Sequence, residues 1–93
     1  MVAAVDAEVV GFLLAFREPL AYGRLYVWQI TVSPQHRRKG VAGALYKELI
    51  RKAKAAGITD IRAHIEANNQ PSQLLHESVG FRLRQRVEAT LEL

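Results

Sequence analysis

The sequence predicts a mixed α/β (α+β) fold in the order β-β-β-α-β-α-β, a mostly antiparallel sheet with a parallel β-α-β unit at its centre. Three observations carry this. Apolar residues run at strand spacing as far as residue 32, at helical spacing from residue 40, and at strand spacing again from residue 59. Two short β-prone runs open the chain, close enough in sequence to pair as a hairpin. The segment between the strands on either side of the helix is long enough for a crossover, so those strands lie parallel with a right-handed connection.

Residues 2–5 and 9–16 are the hairpin strands, separated by Asp6-Ala7-Glu8 with no Gly or Asn to mark the turn. Pro19 and Gly23 make residues 17–23 a loop. Arg24–Val32 is an almost unbroken apolar and aromatic run, the pattern of a strand covered on both faces, and Pro34 ends it. Over residues 40–56, Val41, Leu45, Leu49 and Ala53 recur four apart on one helical face, with Gly57 as the stop. Residues 59–67 alternate, Ile61, Ala63, Ile65 and Ala67 against Arg62, His64 and Glu66. Pro71 suits the first turn of a short helix running to residue 79, and Gly80 its end. Residues 81–93 alternate, Phe81, Leu83, Val87, Ala89, Leu91 and Leu93 against Arg82, Arg84, Arg86, Glu88, Thr90 and Glu92, and predict a last strand, bulged or bent because of its length.

At 93 residues and 49% hydrophobic, the chain predicts one domain over 1–93 with a single core. No apolar span has membrane length, and Asp6 and Glu8 stand where a signal peptide needs an apolar run, so a cytoplasmic protein without a membrane partner is expected. Zero cysteines exclude disulfides and thiolate chemistry. The spacing of His36, His64 and His76 fits no metal motif, so no metal is expected. Thirteen Lys and Arg against nine Asp and Glu leave +4, which favours an anionic partner. Between Glu18 and Glu48 no acidic residue occurs, while Arg24, Arg37, Arg38, Lys39 and Lys47 do. The anion site belongs in that interval.

The loop before the long helix is the place for it. Backbone N–H groups at a helix start lack intrahelical acceptors, and the macrodipole favours negative charge there. Gly40, Ala42 and Gly43 leave room for close approach, and Arg37, Arg38 and Lys39 add charge. A run of three basic residues in a solvated loop would look the same, and on this segment alone both readings stand.

The stretch Arg37-Arg38-Lys39-Gly40-Val41-Ala42 resembles the acyl-CoA signature of the GCN5-related N-acetyltransferases: Gln or Arg, two residues, Gly, one residue, then Gly or Ala. Ile30-Thr31-Val32-Ser33-Pro34 resembles that family's fourth strand. Asn69, Ser72, Leu75, His76, Glu77, Gly80 and Phe81 stand at the spacing of its second pattern, Asn-x-x-Ala-x-x-Leu-Tyr-Glu-x-x-Gly-Phe. The two halves bracket one β-α-β unit in the right order, and the resemblance runs from about residue 9 to residue 86. It implies transfer of an acetyl group from acetyl-CoA to an amine acceptor, the GNAT activity. It also implies that backbone N–H groups from Arg38 to Ala42 hold the pyrophosphate and that the pantetheine arm pairs with Ile30 and Val32 where two strands splay. Asn69 and Ser72 would contact the arm, with helix capping an equal and compatible use of Asn69.

Three departures bear on catalysis. His76 stands where many members carry a tyrosine that protonates the leaving thiolate, which makes it the candidate general acid. No carboxylate lies on Arg24–Val32 to act as base, where Tyr26 stands near the family position; Glu66 and His64 are the fallbacks. The family's first strand and two helices have no counterpart, so the acceptor is unreadable and exposed apolar surface predicts a homodimer, completed along the edge of residues 81–93. A non-catalytic acyl-CoA-binding or regulatory module is the first alternative. A basic nucleic-acid-binding domain using Arg37–Lys39 with Tyr22, Tyr26 or Trp28 is the second, and no motif supports it.

Overall fold

The hairpin turns at Asp6 and Ala7, both with positive φ (50° and 64°), the twist a two-residue connection requires. The computed structural model describes residues 1–20 and 22–93; Ala21, in the predicted 17–23 loop, lies outside them. In it β1 (Val2–Val5) and β2 (Glu8–Arg17) are antiparallel, β2 is antiparallel to β3 (Arg24–Val32), and β3 is parallel to β4 (Asp60–Ala63). The sheet order is β1-β2-β3-β4. Helix α1 (Val41–Ala55) makes the crossover from β3 to β4, and α2 (Gln70–Ser78) follows β4.

The predicted face of α1 is the one it buries. Leu45, Leu49 and Ala53 join Val10, Leu13 and Val27 of the sheet, each large aliphatic side chain contributing about 1.5–3 kcal/mol. Gly11 lets the helix start come close, since a Cβ there would stand 2.9 Å from the Thr31 carbonyl oxygen and 3.2 Å from Val41 Cγ1.

Three expectations need correction. β3 is covered on one face only: Trp28 is 68% exposed, and Phe16 and Leu14 lie open beside it on β2. The strand predicted over 59–67 stops at Ala63, where β3 no longer runs alongside it. Residues 81–93 form no strand. Phe81 packs on the core, but Val87 (96% exposed) and Leu91 (83%) touch no sheet, because alternation supplies a face and not a partner ladder.

Candidate active site

The ladder between β3 and β4 runs from Arg24↔Asp60 to Val27↔Ala63 and ends there. At the same place the β2–β3 register shifts, Ala15 facing Val27 and Leu14 facing Gln29, so Trp28 is the extra residue of a β-bulge. The strands β3 and β4 therefore splay, and the second half of β3 keeps a partner on one side only.

Which backbone groups face the gap follows from the register. Ser33 N donates to the Val10 carbonyl at 2.7 Å, which makes Val10 and Ser33 a hydrogen-bonded pair. Antiparallel pairs alternate, so Gly11↔Val32 and Leu13↔Ile30 are non-hydrogen-bonded pairs. The N–H and C=O of Ile30 and Val32 thus point away from β2, into the gap. Consistent with this, the Val32 carbonyl accepts from Arg37 Nε at 3.1 Å.

The gap widens into an open-mouthed cavity of about 200 Å³ lined by Val27, Trp28, Gln29, Ile30, Ala63, His64, Ser72 and His76. Of the residues singled out from sequence, it unites Ile30, Ser72, His76 and the fallback His64. Glu66 is exposed beyond β4 and does not line it. Asn69 stands at the start of α2, its Oδ1 accepting from Ser72 N at 3.1 Å, the capping use.

At the other end of the open edge stands the start of α1. Its N-cap is Gly40 (φ 79°), no side chain caps it, and no acidic residue occupies its first turn. A Cβ at Gly40 or Gly43 would meet nothing within 4 Å. Arg38 is also left-handed (φ 62°), a conformation costing a non-glycine residue about 1–2 kcal/mol, and Arg37, Arg38 and Lys39 are all exposed. The helix start, with Val41, Ala42 and Gly43 in its first turn, is open to an anion.

His76 is 2% exposed. Its Nδ1 lies 2.7 Å from the Ser72 carbonyl oxygen and 3.4 Å from Ser72 Oγ, and its Nε2 is 2.5 Å from the Tyr46 hydroxyl. Burial lowers its pKa, the bond to Ser72 opposing. Burial raises that of Tyr46. Sequence reasoning missed Tyr46, whose one signal was its place beside Leu45 on the inward side of α1; its hydroxyl gave no sign of a partner thirty residues on.

No described helix is long and apolar enough to cross a membrane. No three His, Cys, Asp or Glu side chains among the described residues gather to hold a metal.

A sequence profile of the Acetyltransferase (GNAT) family matches residues 1–81, and the chain belongs to that family. It is 32% identical over 82 residues to the L-2,4-diaminobutyric acid acetyltransferase of Nocardia farcinica, covering 88% of this chain and 42% of that protein. It is 33% identical over 88 residues to the phosphinothricin N-acetyltransferase of Streptomyces viridochromogenes, covering 90% and 47%. The chain thus spans under half the length of these relatives. Among solved structures, the aminoglycoside N-acetyltransferase AAC(6')-Iy in complex with CoA superposes with a TM-score of 0.85 at 26% identity, over 99% of this chain and 73% of that one.

Proposed function

We propose that this chain binds acetyl-CoA and transfers its acetyl group to a primary amine by direct attack. The observation that carries the reading is the unpaired edge of β3 at Ile30 and Val32, which leads from an uncapped helix start to a polar-walled cavity. An arm with amide groups can extend that edge by backbone hydrogen bonds, as an added strand does. The pyrophosphate fits the start of α1, against the N–H groups from Arg38 to Gly43 with Arg37, Arg38 and Lys39 around it. The thioester then reaches the cavity, where Trp28, His64, Ser72 and His76 stand. Asn69, already committed to its cap, borders the arm.

In the reaction the amine nitrogen bonds to the thioester carbonyl carbon and the tetrahedral oxyanion takes hydrogen bonds from strand N–H groups at the splay. The C–S bond then breaks. The nitrogen gives up one proton and the thiolate gains one, so amine and thioester become amide and thiol with no covalent enzyme intermediate. Of the base candidates, His64 lines the cavity and Glu66 does not, so His64 or water takes the proton.

A second reading, an acyl-CoA-binding module without turnover, is favoured by one observation: both ring nitrogens of His76 are engaged inside the protein. Calorimetry with acetyl-CoA followed by thiol release across an amine panel separates the two. Binding with turnover supports transfer; binding alone supports the module; no binding removes both. A homodimer belongs to the same proposal, supported by the open apolar side chains of Leu14, Phe16 and Trp28.

A further inference from the structure

We propose that Tyr46 is a positioning residue that holds His76 as a neutral imidazole with its proton on Nδ1, so that His76 braces Ser72 at the cavity wall and does not protonate the departing thiolate. The consequence for catalysis rests on the acetyl-transfer reading; the geometry does not.

A carbonyl oxygen only accepts, so an Nδ1 lying 2.7 Å from the Ser72 carbonyl carries the ring's proton. In the neutral ring Nε2 then offers a lone pair. The Tyr46 hydroxyl, 2.5 Å away, donates to it. Tyr46 is 0% exposed and His76 2%, and Phe81 closes edge-on against both rings at 5.2 and 5.0 Å. A proton added at Nε2 would face the phenol oxygen, turn that oxygen into an acceptor, and leave the phenol hydrogen to find another partner in an apolar enclosure. An unmet donor there opposes that protonation. The titratable groups around the ring are Tyr46 from α1 and, on the cavity wall, His64 beyond β4; Ser72 and Phe81 are neutral. The depressed His76 pKa has burial as its cause, with no carboxylate contributing.

What the arrangement does is mechanical. Ser72 lies in the first turn of α2 and His76 one turn later, so the ring ties the Ser72 backbone on one side to α1 on the other. The helix proposed to hold the phosphates is thereby joined to the wall of the thioester cavity. With His76 fixed in this form, the proton released by the amine reaches sulfur directly, through cavity water or by way of His64, and His76 itself does not change charge.

Long-range proton–nitrogen NMR on the full chain with nitrogen-15 histidine, from about pH 5 to about pH 8.5, reads the ring form directly. His76→Gln identifies the signals. The expected result is a His76 protonated at Nδ1 and bare at Nε2 at neutral pH, titrating below an ordinary histidine. In Tyr46→Phe the His76 titration should move upward, because a donor to the neutral form is gone. The kcat of that variant should fall about tenfold, the worth of one hydrogen bond, with the KM for acetyl-CoA unchanged. A proton on Nε2, an imidazolium at pH 7, or a wild-type kcat that falls as the pH rises through the measured His76 titration would overturn the proposal. If Tyr46→Phe does not fold, the wild-type spectra and pH profile decide. The expected spectra in a chain that binds acetyl-CoA without turnover would leave the clamp standing and remove only the transfer reading.

Discussion

The Val32 carbonyl, turned away from β2 by the strand register, is held by the Arg37 side chain, whose Nε donates to it at 3.1 Å. Arg37 also opens the basic run Arg37-Arg38-Lys39 that leads into the start of α1. One residue thus belongs to both parts of the proposed cofactor site, by contact to the edge for the arm and by sequence to the cradle for the phosphates.

Arg37→Ala therefore separates the two. Loss of the cation should weaken CoA binding about tenfold, the scale of a charge-assisted hydrogen bond. Pantetheine, which has no nucleotide phosphates, should bind the variant at least as well as the wild type, because the Val32 carbonyl is freed. Calorimetry with both ligands checks this, and an equal loss for both would place Arg37 in loop stability alone.

Gly40→Asp tests the phosphate cradle. A carboxylate at an uncapped helix start is tolerated by the helix and repels a pyrophosphate. A Cβ at this position meets nothing within 4 Å, so no clash is introduced. The positive φ of 79° does impose strain, and Gly40→Asn carries the same strain without the charge. CoA affinity should fall at least tenfold more in the Asp variant than in the Asn variant, with both folded by circular dichroism. Equal affinities would show that backbone strain, not charge, governs the site.

His76 predicts a loss of stability in mild acid. Its folded pKa is depressed by burial, while in the unfolded chain it titrates near the ordinary value of about 6.5. Above that value the ring is neutral in both states and stability is full. As the pH falls below it, the unfolded chain takes up a proton that the folded ring resists, and stability declines until the folded ring also titrates. Urea midpoints at about pH 7.5 and 5.5 should show this decline in the wild type. His76→Phe should be less stable at the higher pH by about 1–3 kcal/mol, its Tyr46 hydroxyl left unpaired, yet lose less on acidification. Equal losses in the two proteins would assign the acid sensitivity elsewhere.

Much of the fold was legible because its signals are local. The four-residue recurrence from Val41 to Ala53 marked α1 and its buried face, and Pro71 and Gly80 marked α2. The glycine at the start of α1 was legible for the same reason, since Gly40 and the basic residues before it are adjacent in sequence. The relations that make the cavity are not local. That Trp28 is a bulge depends on which residue of β2 it faces, and that β4 ends at Ala63 depends on where β3 turns away. The pairing of Tyr46 with His76 joins two helices with no pattern shared between them. Residues 81–93 show the converse: alternation, broken only at Gln85, with no ladder beside it.

That last segment carries the final prediction. Val87, Leu91 and Leu93 are almost wholly exposed, so they add little to the stability of a single chain. Removing residues 87–93 should leave the unfolding free energy of the dilute protein, measured in urea, within about 0.5 kcal/mol of that of the full chain, as for other surface changes. An alternating apolar segment without a partner is nonetheless suited to pair with the same segment of a second copy, where a ladder and an apolar face form together. The full chain should then run as a dimer in light scattering coupled to size exclusion, and the shortened chain should shift towards monomer while keeping its affinity for CoA. A full chain that stays monomeric at tens of micromolar removes the dimer; a dimer untouched by the truncation moves its interface to the open face of Leu14, Phe16 and Trp28.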